Sequence, residues 1–134
     1  MHFNTIVGVA KLILSKQISP VELTQIQLER IRKWDPKLKS YATLMSEQAI
    51  DMAKQAEAEI MSGHYRGLLH GVPIAVKDLC NTCGVRTMGG TQTKAGHVPD
   101  YNATVVQKLA DAGTVLLGKL NLTEGAMGGY NPGC

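Results

Sequence analysis

Apolar positions recur at helical spacing through the first half of the chain. Ile6, Val9, Ala10 and Ile13 fall on one face of a first helix. A second helix starts at Ser19-Pro20-Val21-Glu22, where Ser19 supplies the cap, Pro20 suits the first turn and Glu22 completes a capping box. Leu23, Ile26, Ile31 and Trp34 form its apolar stripe, and Asp35-Pro36 is expected to end it, because proline lacks the amide that the next turn needs. Tyr41 to Met45 reads as a short strand. Ser46 then caps a third helix with Ala49, Met52, Ala53, Ala56 and Ile60 on one face, closed by Gly63.

After Gly63 the pattern changes: glycines multiply and helical periodicity lapses. Val72-Pro73-Ile74-Ala75-Val76 reads as a buried strand. Asp100 or Asn102 can cap a helix carrying Val105, Val106, Leu109 and Ala112, stopped by Gly113 and followed by a strand over Thr114 to Leu117. Strand, helix, strand in that order predicts a parallel α/β sheet. The final residues, Asn131-Pro132-Gly133-Cys134, carry turn chemistry and read as an interruption rather than the close of a fold.

Composition narrows the picture. At 134 residues and 44% hydrophobic content the chain can bury one core. It is expected to be a single unit over 1–134, with 1–63 a helical lead-in and 64–134 the start of an α/β core. A net charge of +3, with Lys and Arg dispersed, argues against nucleic acid and against a polybasic membrane patch. The run Ile6 to Leu14 is interrupted by Lys11, no cleavage site follows it, and no stretch approaches the roughly 20 apolar residues of a membrane span. A soluble, cytoplasmic protein is expected. Three cysteines, Cys80, Cys83 and Cys134, are too few and too uneven for a disulfide framework, which fits a reducing compartment.

Lys77 holds the candidate chemistry. It follows four apolar residues and sits where a strand meets a loop, the edge of an open α/β sheet that carries ligands. A lysine held partly out of water loses proton affinity and can act as a base near neutral pH. The plainer alternative is a lysine that reaches solvent or pairs with Asp78. Two decoys lie nearby. Gly113 to Leu120 nearly spells a phosphate-binding loop, but Leu120 stands where a hydroxyl must reach magnesium, and Thr114 to Leu117 suit a buried strand. Cys80-Asn81-Thr82-Cys83 is a lone C-x-x-C in loop-forming sequence, and His64, His70 and His97 show no paired spacing, so neither metal nor cofactor is expected. Cys134 with Glu124 would make a cysteine nucleophile only if a terminal residue were well placed, which is uncommon.

The segment around Lys77 carries more. Leu69-His70-Gly71-Val72-Pro73-Ile74-Ala75-Val76-Lys77-Asp78, then Gly84-Val85-Arg86-Thr87-Met88-Gly89-Gly90-Thr91, then Ala103-Thr104-Val105-Val106, Ala112-Gly113 and Gly118-Lys119 resemble, in order and spacing, the amidase signature family. The resemblance covers most of residues 38 to 132 and is specific from Leu69 onward. It implies a mixed, largely parallel sheet flanked by helices, of which this chain would hold the first part. It also implies hydrolysis of a carboxamide through a nucleophilic serine, a second serine in a cis peptide, and a lysine. Lys77 matches that lysine, whose role would be to take a proton from the bridging serine. Gly125, Ala126, Met127, Gly128, Gly129 and Tyr130 would line the substrate pocket, and Lys119 is read as structural.

The five serines, Ser15, Ser19, Ser40, Ser46 and Ser62, all lie in the helical half and cannot fill the two family positions. The chain is therefore read as an N-terminal portion of such an enzyme, inactive alone because the covalent route is missing. Glu124 is followed by Gly125 instead of an aromatic residue and a Gly-Ser-Ser stretch. That favours a stand-alone amidase over the catalytic subunit of the transfer-RNA amidotransferase, with a truncated, non-catalytic product as a further alternative. The partner implied is a small-molecule amide. Self-association through an uncovered sheet edge is also expected.

Overall fold

The computed structural model describes residues 4–127. Four α-helices and three strands alternate as α1 (Ile6–Leu14), α2 (Pro20–Leu38), β1 (Tyr41–Leu44), α3 (Ser46–Met61), β2 (Pro73–Lys77), α4 (Thr104–Asp111) and β3 (Val115–Leu120), with short 3-10 turns at Gln92–Lys94 and Glu124–Ala126.

The sheet is mixed, in the order β1-β3-β2. β2 runs parallel to β3 with Ile74 opposite Leu116 and Lys77 opposite Leu120; β1 runs antiparallel, with Tyr41 opposite Leu120 and Leu44 opposite Gly118. Both ladders slip by a residue, between Ile74 and Val76 and between Tyr41 and Thr43. Gly118 sits beside these irregularities because a β-carbon there would collide with the Thr43 carbonyl oxygen, so only glycine lets β1 approach. β3 is longer than the expected Thr114–Leu117: it continues through Gly118 and Lys119, which belong to the strand instead of following it.

Two apolar clusters share α2. Val9, Ile13, Ile18, Leu23 and Val72 join α1 and α2 to the start of β2. Leu28, Ala49, Ala53, Val115 and Leu117 join α2 and α3 to β3. Ala49, Ala53 and Ala56 of α3 are fully or nearly fully buried, which lets the helix lie close to the sheet.

The capping box at Ser19 forms as expected: Glu22 N–H donates to Ser19 Oγ (3.1 Å) and Ser19 N–H donates to Glu22 Oε2 (2.9 Å). Other helix limits differ. α2 runs through Pro36 to Leu38. Pro36 removes one bond in a solvent-facing last turn, and Asp35 compensates: its carbonyl accepts from Lys39 N–H (2.8 Å) and its carboxylate from Ser40 N–H (2.6 Å). Ser46 is the first residue of α3, and Met45 caps it without a side-chain bond while donating its N–H to Leu117 O (2.9 Å). Ala103, not Asp100 or Asn102, caps α4, because Asn102 Oδ1 is engaged by Cys83 N–H (2.8 Å). Ile6, Trp34 and Val105, assigned to apolar stripes, are about half exposed; on α2 the packed stripe stops at Ile31 and leaves Trp34 outside. Among the described residues no helix is long and apolar enough to cross a membrane.

Candidate active site

Successive strand side chains point to opposite faces, and at the carboxyl end of β2 this alternation separates Lys77, exposed, from Asp78, buried. Asp78 N–H donates to Leu120 O (2.9 Å), tying the two parallel strands where both end. Cys80 N–H donates to Lys77 O (2.9 Å), so the chain turns directly behind the lysine. The excursion that follows is pinned to the entry of α4: Gly84 N–H donates to Pro99 O, Ala103 N–H to Asn81 O, and Asn81 Nδ2 to the Tyr101 hydroxyl (2.6 Å).

Asp78 does not pair with Lys77. Its carboxylate accepts from Met88 N–H through Oδ2 (3.0 Å), and Oδ1 lies 3.5 Å from Lys119 Nζ, a charge pairing without a hydrogen bond. Lys119, fully buried, donates to Thr87 Oγ1 (2.6 Å). Burial pushes the Lys119 ammonium below its ordinary proton affinity, while the Asp78 carboxylate beside it pulls the other way. The structural role expected for Lys119 agrees with its burial. Its partnership with Asp78 and Thr87 is not legible in the sequence, since nothing local links positions so far apart.

Above this pair, Gly89 N–H donates to Asp78 O (3.0 Å) and Gly89 O accepts from Gly125 N–H (3.0 Å). A β-carbon at Gly90 would stand 2.9 Å from the backbone of Leu122 and Thr123. The Gly89-Gly90 loop thus carries the turn of Gly125 and Ala126, both with φ of 59°. That conformation is easy for glycine and costs about 1–2 kcal/mol for alanine. Gly125 lines a cleft of 390 Å³ together with Leu79, Asn81, Met88, Lys94 and Glu124. Met127 is exposed, and Lys77 is not on the wall of this cleft. Gly128, Gly129 and Tyr130, and likewise Cys134, lie outside the described residues.

A second buried polar group holds the entrance of β2. His70 Nδ1 accepts from Arg66 N–H (3.1 Å), and Nε2 lies 3.1 Å from Glu59 Oε2, poorly aligned for a hydrogen bond. Arg66 grips the Glu59 carboxylate with two nitrogens (2.9 and 2.7 Å) and donates to Asp111 O (3.2 Å). From sequence His70 appears only within the segment that resembles the family and among histidines without the paired spacing of metal ligands; its buried contacts are not legible there. Among the described residues no group of three or more His, Cys, Asp or Glu could hold a metal ion. Cys80 and Cys83 are free thiols in a loop, and of the near-match to a phosphate-binding loop, Gly113 to Leu120, residues Val115–Leu120 form a largely buried strand.

The serines sit at or beside helix ends. Ser15 Oγ donates to Leu12 O and Ser62 Oγ to Glu59 O; Ser19 caps α2, Ser46 opens α3, and Ser40 follows α2.

Comparison with known proteins agrees with the geometry. The family described as Amidase matches residues 22–132. A protein of Mycobacterium tuberculosis named as an amidase, AmiD, is 51% identical over 124 residues, 92% of this chain and 26% of that protein. A glutamyl-tRNA(Gln) amidotransferase subunit of Trichodesmium erythraeum is 48% identical over 116 residues, 87% of this chain and 24% of that protein. In structure, the chain superposes on the native peptide amidase of Stenotrophomonas maltophilia with a TM-score of 0.86 at 33% identity, covering 91% of this chain and 25% of that one. A bacterial aryl acylamidase of the amidase signature family superposes with a TM-score of 0.84 at 27% identity, covering 92% and 26%. The chain spans about a quarter of the length of the relatives it matches. With its family matched over most of its length and its fold shared with solved amidases, this chain belongs to the amidase family.

Proposed function

We propose that these residues form the base-bearing part of an enzyme that hydrolyses carboxamide bonds, with Lys77 as the base. In the full reaction Lys77 takes a proton from a bridging serine, which activates a second serine to attack the carbonyl carbon. The same relay returns a proton to the departing amine, and water then cleaves the resulting acyl-serine ester, releasing the acid and restoring the serine. The observation that supports this most is the placement of Lys77 at the carboxyl end of a parallel strand, beside the loop that carries the Gly125 turn; its exposure in these residues is that of the plainer alternative, and a covering segment must hold it out of water for it to serve as a base. The exposed amine can meet a partner group that these residues do not supply. Small-molecule amides are the substrate class proposed, with Gly125, Ala126, Met127, Gly128, Gly129 and Tyr130 on the pocket wall.

These 134 residues alone do not hydrolyse amides in this reading, because every serine is committed to the helical half. A polypeptide carrying the remaining three quarters of an amidase, with its two serines, would complete the site. The test is hydrolysis of a simple arylamide by the purified chain, alone and co-expressed with that complement. No turnover alone, turnover with the complement, and a loss of about 10⁴ on Lys77→Ala are expected. Turnover by the chain alone that Lys77→Ala abolishes would refute the proposal.

The 48% identity to an amidotransferase chain supports a second reading, in which the liberated ammonia passes to misacylated transfer RNA. Gly125 after Glu124 favours simple hydrolysis. Release of free ammonia from a small amide, undiminished without transfer RNA, separates the two.

A further inference from the structure

Lys119 and Asp78 are buried together behind the strand end that bears Lys77, 0% and 2% exposed in their side chains. Two charges taken out of water are a weak source of stability, so the question is what they hold. Each polar group of Asp78 serves the same junction. Its N–H reaches Leu120 on β3, its carbonyl accepts from Gly89, and its carboxylate accepts from Met88. Thr87 Oγ1 donates its own proton to Val85 O (3.1 Å), so it meets Lys119 with a lone pair and Lys119 is the donor. Thr87 N–H is in turn held by His97 O (3.0 Å). The gripped loop is the one on which Gly125 rests, through Gly89 O and through the close approach of Gly90 to Leu122 and Thr123.

We propose that Asp78 and Lys119 are positioning residues: acting through Thr87, Met88 and Gly89, the buried pair sets where Lys77 stands relative to the Gly125 turn. The pair braces the end of β2, the end of β3, the Thr87–Gly90 loop and the Glu124–Ala126 turn as one unit, so the two sides of the site keep their spacing. Removing the Thr87 hydroxyl would leave Lys119 without its hydrogen-bond acceptor, and removing Lys119 would leave Asp78 without its counter-charge. Cys80 is the other titratable group close enough to act on Lys119. The functional weight of this inference rests on Lys77 being the base; the brace itself does not.

The test uses the 134-residue chain and residue-resolved amide exchange with side-chain NMR. In Thr87→Val and Lys119→Met, exchange at Met88, Gly89 and Gly125 is expected to rise about tenfold more than at Ala49 and Ala53 in α3. The Lys77 side-chain methylene signals are expected to move in both. Thr87→Ser, which keeps the acceptor, is expected to leave exchange and signals as in the parent chain. Uniform acceleration along the chain, or unmoved Lys77 signals in Thr87→Val, would overturn the proposal and leave the pair as ordinary core. Should Lys119→Met fail to fold, Thr87→Val decides, because it keeps both charges. If Lys77 is not the base, these results stand and the failure appears only as activity that survives Lys77→Ala in the completed enzyme.

Discussion

The backbone of Gly113 lies against the buried ring of His70, so close that a β-carbon at residue 113 would collide with Cδ2 and stand 3.0 Å from Nε2. Gly113 also has φ of 76°, and its carbonyl accepts from Gly71 N–H (2.9 Å), just before β2 begins. Gly113→Ala therefore meets two penalties at once. The left-handed conformation costs about 1–2 kcal/mol and the overpacking about 1–3 kcal/mol. Urea denaturation should show a loss of about 2–5 kcal/mol. Adding His70→Ala should recover part of it, since only the steric share depends on the ring. A purely additive double variant would mean that the ring is not the obstacle.

His70 also sets an acid limit on the fold. Burial holds its proton affinity below the ordinary histidine value, outweighing the attraction of Glu59, and Arg66 adds to the depression. Nδ1 already accepts from Arg66 N–H, so a second ring proton would break that bond. The folded chain thus binds fewer protons at this site than the unfolded one. Its stability is full above an unfolded value of about 6.5 and falls as pH drops through and below it. Urea midpoints measured from about pH 7.5 to 5 should decline, and His70→Gln should flatten that decline. A midpoint that rises on acidification would contradict the assignment. Glu59, held below the ordinary carboxylate range chiefly by its hydrogen bond to Arg66, adds a separate loss at lower pH, as it becomes protonated.

Where the sequence is legible, the determining physics is local. Ser19 and Glu22 are neighbours in the chain, and Gly63 and Gly113 end helices with φ of 88° and 76°. Lys77 stands out because a strand end is visible in four apolar residues followed by a charge. The misses are matters of tertiary competition. Asn102 could cap α4, but the loop at Cys83 claims its oxygen. Pro36 should end α2, but Asp35 repairs the turn. Lys119 looks in sequence like a residue just past a strand, and only the pairing of β3 with both neighbours carries the strand through it. Asp78 adjoins Lys77 in the chain and could pair with it, but strand alternation places the two on opposite sides.

The capping box of α2 offers a clean measure of one local contribution. Ser19 and Glu22 satisfy two amides reciprocally on an exposed helix start, with Pro20 fitting the first turn. Ser19→Ala should cost about 1 kcal/mol, and Ser19→Asp should recover most of it because an aspartate accepts from the same amide. Thermal melts of the three chains check this. Equal melting of the Ala and parent chains would mean that α2 is held by its packing alone.

The two lysines at the sheet end should respond in opposite ways to removal. Lys77 is exposed, and Lys77→Ala should change folding stability by no more than about 0.5 kcal/mol. Lys119 is fully buried, hydrogen-bonded to Thr87 and charge-paired with Asp78. Lys119→Ala strands a carboxylate in the interior and opens a cavity, so a loss of about 3–5 kcal/mol is expected. Lys119→Ala with Asp78→Asn should be less damaging than the single change, since no uncompensated charge remains. Denaturant unfolding of the four chains reads this directly. Equal losses at Lys77 and Lys119 would remove the basis for treating one as chemistry and the other as support. The expected asymmetry would allow Lys77→Ala to serve as a well-folded control in the arylamide test of the proposed function.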